Sequence, residues 1–178
     1  MAPLRMVTLF LLGTMASPIQ AQSDPVTVFV VRHAEKGPGS PDPDLTEVGT
    51  TRAAALAHVL GDADVTVVVT SEFKRTQATA APLATKRHLT AEVIDAGKMD
   101  PLIARLKGLP AGSRAVVVSH SNLVPAIVEK LSGRKVGELT DADYDRLYAV
   151  TIWPDGRASV LYLHYGAPAG EPGGAMNP

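Results

Sequence analysis

Val26 to Val31 are all apolar or β-branched, and they run without a break into Arg32 and His33. Val, Thr and Phe fit a pleated surface, so the run reads as a strand. It does not alternate apolar with polar residues. Both faces of the strand are therefore buried, as in a sheet covered by helices on two sides. Such a strand belongs in an open α/β sheet. Ligands collect there beyond the carboxyl ends of the strands, where Arg32 and His33 put a fixed cation and a titratable imidazole.

The pattern recurs. Val65 to Val69 is a second apolar run, ending in Thr70-Ser71-Glu72. A helix over Lys74 to Ala84 follows, with Arg75 near its start, Ser71 placed to cap it, and Pro82 expected to disturb its end. Ala115 to Val118 is a third run, ending in Ser119-His120-Ser121-Asn122, before a helix that closes at Gly133. Between these, Thr46 reads as the N-cap of a helix that carries Val48, Ala55, Leu56, Val59 and Leu60 at helical spacing and stops at Gly61. Thr90 to Ile94 is a weaker strand, closed by Asp95-Ala96-Gly97. Asp100 is expected to cap a short helix over Pro101 to Lys107, and Asp141 to Leu147 reads as another. Tyr148 to Trp153 and Ala158 to His164 read as a β-hairpin. The alternation implies an α/β domain, three layers deep, with a mixed, mainly parallel sheet and a C-terminal hairpin. The Pro- and Gly-rich stretch Lys36 to Asp44 is a loop that should overhang whatever Arg32 and His33 bind.

The chain has 178 residues, enough for one domain. Arg5, the apolar run Met6 to Met15 and the small residues around Ala21 have the form of a secretory signal peptide over residues 1–21. The run is far shorter than the roughly 20 residues a membrane span needs. The expected product is a periplasmic or secreted domain over 22–165, without a stable membrane anchor, and a disordered tail over 166–178. Zero cysteines exclude disulfides, thiolate chemistry and a lipid anchor on Cys. With 17 Lys and Arg against 18 Asp and Glu and no basic stripe, nucleic acid is excluded as a partner. Nothing in the sequence speaks to oligomeric state.

Parallel strands share an end, so three polar strand ends converge: Arg32-His33, Ser71 with Arg75, and His120 with Asn122. Two guanidinium groups, two imidazoles and a helix N-terminus then face one point. That donor set suits an oxyanion with several oxygens, and phosphate is the natural guest.

In this order the residues resemble a known family. Arg32-His33-Ala34-Glu35, Leu45-Thr46 with Gly49 and Arg52-Ala53, Ser71 with Arg75-Thr76, and His120 are similar to the histidine phosphatase superfamily, also called phosphoglycerate-mutase-like. The likeness runs from about Val26 to Leu131 and is nearest to small exported bacterial members. It implies a metal-independent phosphatase that needs no cofactor and acts on a small phosphorylated substrate. His33 attacks phosphorus, and the phosphohistidine is hydrolysed by water. A backbone carbonyl should hold the other ring nitrogen of His33. Arg32, Arg75 and protonated His120 hold the phosphoryl oxygens, with Asn122 as a further donor. Asp95 is the candidate proton donor to the leaving oxygen, with Glu92 as its alternative. Glu35, a candidate on the substrate side, either orients Arg32 or is a surface carboxylate; Ser71 is a weaker candidate for substrate contact. The short span between Gly97 and Ser113 implies an open site, which favours hydrolysis over return of the phosphoryl group. Two other functions fit less well. One is a phosphate-binding module of the same fold with little or no catalysis. The other is a metal site of His33, Glu35 and His120, which the neighbouring arginines oppose.

Overall fold

The computed structural model describes residues 24–168. The signal peptide expected over residues 1–21 and most of the expected tail lie outside them. Six strands and four helices are described: β1 (Val26–Arg32), α1 (Glu47–Val59), β2 (Val67–Thr70), α2 (Lys74–Lys86), β3 (Glu92–Val93), α3 (Met99–Lys107), β4 (Arg114–Ser119), α4 (Val124–Ser132), β5 (Arg146–Ile152) and β6 (Ala158–His164). The sheet order is β3-β2-β4-β1-β5-β6. The pairs β3–β2, β2–β4 and β4–β1 are parallel; β1–β5 and β5–β6 are antiparallel. This is the mixed, mainly parallel sheet with a terminal hairpin that the sequence implies.

The absence of alternation in β1 has the expected cause. Val28 and Val30 pack with Leu102, Leu106, Ile127 and Val128 of α3 and α4. Val31 packs on the other face with Leu56, Leu83 and Ala80 of α1 and α2. A strand buried on both sides cannot afford a polar position until it ends. Register places Arg32 beside Ser119, so the ends of β1 and β4 are level and His33 and His120 emerge side by side.

Local signals set the helix ends. Thr46 caps α1, its side chain accepting from the Gly49 N–H. A Cβ at Gly49 would collide with the Glu35 backbone, so glycine lets α1 rest directly on the turn after His33. Gly133 ends α4 in the left-handed region at φ 70°.

Three expectations fail. Pro82 does not disturb the end of α2, which runs through it to Lys86; the carbonyl it leaves without a donor belongs to the exposed Ala78. Asp100 is not the cap of α3. Lys98 holds that position, and Asp100 pairs with Lys130 at 3.2 Å. Residues 141–145 are not helical, because the Asp143 carboxylate takes both the N–H and the hydroxyl of Thr140 at 2.7 and 2.6 Å and bends the chain into a turn. Arg146 already belongs to β5. The chain after β6 stays against the domain at its start, where Arg52 Nη1 donates to the carbonyls of Tyr165 and Ala167.

Candidate active site

The ends of β1, β2 and β4 form the floor of an open cleft of about 540 Å³. Arg32, His33, Lys36, Arg75, His120, Asn122 and Asp141 are among the residues that line it. Arg32, His33 and His120 are buried, at 4%, 3% and 8% exposure. The two imidazole centroids are 5.4 Å apart.

The backbone fixes His33. Its N–H donates to Ser119 at 2.8 Å, and the following N–H, of Ala34, donates to Thr79 Oγ1 at 2.9 Å. Thr79 in turn donates to the Arg75 carbonyl. The His33 turn and the first turn of α2 are therefore tied through one buried hydroxyl. His33 Nδ1 lies 2.8 Å from the Ala34 carbonyl, which can only accept. Nδ1 then carries the hydrogen, and Nε2 keeps its lone pair. Burial pushes this imidazole down to about 4; the Ala34 carbonyl works against that, and the charges of Arg32, His120 and Arg75 add to it. At neutral pH, His33 is an uncharged imidazole held in one orientation, with Nε2 unprotonated.

His120 has the opposite tautomer. Its Nδ1 faces Arg75 Nη2 at 3.4 Å, a group that can only donate. Nε2–H therefore donates to Ser71 Oγ at 2.9 Å. Ser71 passes its own hydrogen to Thr76 Oγ1 at 3.0 Å, and Thr76 donates to the Phe73 carbonyl. Burial, then Arg75, pushes His120 down to about 4, so the free protein holds it neutral rather than as the cation expected from the sequence.

The arginines are held from behind. Arg32 Nη1 donates to the Thr140 carbonyl at 2.8 Å, Nη2 to the Tyr144 hydroxyl at 3.2 Å, and its guanidinium stacks 3.9 Å from the Tyr144 ring. Arg75 stacks on Phe73 at 4.2 Å and lies 3.5 Å from the Asp42 carboxylate. Asp42 also accepts from the Lys74 N–H, so the loop expected to overhang the site does so by capping α2. The Nε atoms of Arg32 and Arg75 are buried and have no partner. A buried unmatched donor costs about 1–3 kcal/mol, and both residues line the cleft. Among the described residues no group of three His, Asp or Glu is arranged to hold a metal ion, and no helix is long and apolar enough to cross a membrane.

The structure thus brings together Arg32, His33, Arg75, His120 and Asn122. Ser71 is buried and holds His120 instead of lining the cleft. Glu35 turns away: its carboxylate accepts twice from Arg52 Nε and once, at 2.7 Å, from Nη2. Asp95 is half exposed, pairs with Lys98 at 3.3 Å, and borders a small neighbouring hollow rather than the cleft. Glu92 is bound by Arg105 through two hydrogen bonds of 2.8 and 2.6 Å. Neither carboxylate is placed as the proton donor. Sequence reasoning quoted Thr76 without giving it a role and missed Thr79; their only further trace is a pair of threonines one turn apart in a helix. It also missed Asp42, Asp141 and Tyr144, which leave none.

This sheet order, with Arg-His at the end of its central parallel strand and a second histidine on the next strand, defines a phosphoglycerate-mutase-like α/β protein. The model of the histidine phosphatase superfamily (branch 1) matches residues 28–98, less than half of the 178. Among solved structures it is similar to the protein histidine phosphatase SixA complexed with tungstate, with a TM-score of 0.63 and 22% identity over 78% of this chain and 96% of that one. It is also similar to a mycobacterial glucosyl-3-phosphoglycerate phosphatase, with a TM-score of 0.64 and 18% identity over 76% of this chain and 97% of that one. An uncharacterized protein of Mycobacterium tuberculosis is 39% identical over 72 residues, 36% of this chain and 36% of its own length. The match therefore spans about a third of that curated relative. The family match ends before β4, so His120 joins the site by geometry alone.

Proposed function

We propose that this protein is a metal-independent phosphatase that hydrolyses small phosphate monoesters through a phosphohistidine at His33. One observation carries the reading: a neutral His33, its Nδ1–H fixed on a carbonyl, presents Nε2 to a cleft ringed by Arg32, Arg75 and His120. The family match over residues 28–98 and the likeness to the two phosphatase structures above support it.

Nε2 attacks phosphorus in line, and the imidazole carries the phosphoryl group until water displaces it. Arg32 and Arg75, which both line the cleft, take the phosphoryl oxygens and stabilise the charge that spreads over them. His120 starts neutral. An arriving phosphate dianion favours its protonation, and Nδ1 then becomes a donor to the same oxygens. Ser71 and Thr76 keep its ring in place. The cleft is wide and open, which suits release to water.

The test is hydrolysis of para-nitrophenyl phosphate in the presence of EDTA. Wild type is expected to turn over, and His33→Ala to lose at least about a thousandfold. Unchanged hydrolysis in the variant rejects the reading; phosphate binding without turnover in wild type makes the protein a binding module. Export belongs to the same proposal. Recovery of a product beginning near Gln22 from periplasm or medium supports it, and full-length protein confined to the cytoplasm rejects it.

A further inference from the structure

A phosphatase of this kind needs a proton for the leaving oxygen, and the expected carboxylates are engaged elsewhere. Asp95 pairs with Lys98, Glu92 with Arg105 and Glu35 with Arg52. Glu72 accepts from the Ala96 N–H at 2.8 Å, and Asp42 caps α2. One carboxylate lines the cleft with His33: Asp141, on the turn between α4 and β5. Its side chain is fully exposed, and its sole link to the site is a 3.5 Å contact from Oδ1 to Arg32 Nη2.

We infer that Asp141 is the general acid and base of the reaction. The inference rests on the phosphatase reading above and supplies its missing proton donor. The placement fits the stereochemistry. His33 lies at the floor, so an in-line leaving oxygen departs on the side of phosphorus away from it, toward the open rim. A buried carboxylate beside His33 would be on the wrong side, whereas a rim carboxylate is on the path.

The ion pair with Arg32 is long, and the guanidinium is held independently by Thr140 and Tyr144. Phosphoryl oxygens entering the cleft take Arg32 and leave Asp141 facing an anion. The bond from His33 Nε2 to phosphorus then forms as the bond from phosphorus to the leaving oxygen breaks. That oxygen takes the Asp141 proton, giving a free alcohol, a carboxylate and phosphohistidine. In the second step water gives a proton to the carboxylate and its oxygen bonds to phosphorus. Inorganic phosphate leaves, and His33 and protonated Asp141 are restored.

The test compares an alkyl phosphate, whose leaving group needs a proton, with para-nitrophenyl phosphate, whose leaving group hardly does. Asp141→Asn is expected to slow the alkyl ester about a hundredfold or more and the aryl ester only a few-fold. Asp141→Glu should restore part of the alkyl rate, and Asp95→Asn should leave both rates unchanged. Equal slowing of the two esters by Asp141→Asn overturns the proposal, since that is what loss of an Arg32 contact alone would give. Selective slowing by Asp95→Asn overturns it as well. Failure of the underlying phosphatase reading looks different: His33→Ala would then leave aryl ester hydrolysis intact. Asp141 is fully exposed, so unfolding midpoints of its variants are expected to match wild type.

Discussion

Arg32 and Arg52 stand on opposite sides of the turn after β1, and water reaches them equally little, at 4% and 3% exposure. Their hydrogen bonds differ. Arg52 is matched at every nitrogen: Nε and Nη2 on Glu35, Nη1 on two carbonyls near the end of the described chain. Arg32 is held at both Nη atoms but carries a buried Nε with no acceptor. A fully matched buried arginine is a structural tie, since any further partner would have to break a bond already made. An incompletely matched one still has a donor to offer a ligand. Arg75 shares the second condition. Arg87 shows that the condition is not sufficient alone, because its Nε is also unmatched but it does not line the cleft.

The comparison can be broken by substitution. Arg52→Ala leaves Glu35 without its partner and should cost about 3–5 kcal/mol of stability, read as a lower midpoint in urea, while the remaining folded protein keeps its turnover. Arg32→Ala should do the reverse, lowering kcat/KM about 10²–10³-fold with an unfolding midpoint close to wild type. If both variants lose stability and activity alike, matching does not separate the two roles.

Acid sharpens the contrast, because the cleft side alone holds buried histidines. His33 and His120 have values near 4 in the folded protein against 6.5 in an unfolded chain. As pH falls below 6.5, the unfolded chain binds protons first, so stability declines. It stops declining from this cause near pH 4, where the folded histidines protonate too. The loss is on the order of 3 kcal/mol for each histidine. Urea midpoints between pH 4 and 7 should show it in wild type and much less of it in a His33→Ala, His120→Asn double variant. The smallest effect belongs to Ser71→Ala. It removes one neutral hydrogen bond behind His120, worth about 1 kcal/mol, and should lower kcat/KM roughly tenfold without changing the KM for aryl phosphate.

The sheet and the floor of the cleft were legible because they obey local rules. β1 shows its double burial as an unbroken apolar run, and three strand ends in a parallel sheet must share a rim. Thr46 and Gly133 mark helix ends by their own chemistry. The carboxylate at the cleft rim was not legible. Asp95 stands at a strand end as the likeness to the family suggested, but a lysine one turn on draws its carboxylate outward. Glu35 is two residues from His33, yet the chain turns after Ala34 and hands it to α1. Asp141 lies 109 residues from Arg32 in sequence. Its position is set by β5 pairing against β1 and by the Thr140–Asp143 turn, neither of which sequence spacing encodes.

The strand order carries a consequence for how the protein comes into being. β1 finds β4 and β5 only after most of the chain has been made, and His33 has no second histidine or rim carboxylate beside it until then. Helices α1 and α2 can form early from local contacts, but such a half-assembled state lacks a reaction centre. Recovery of turnover during refolding should therefore lag behind recovery of helical signal, and the lag dates the closure of the sheet's centre.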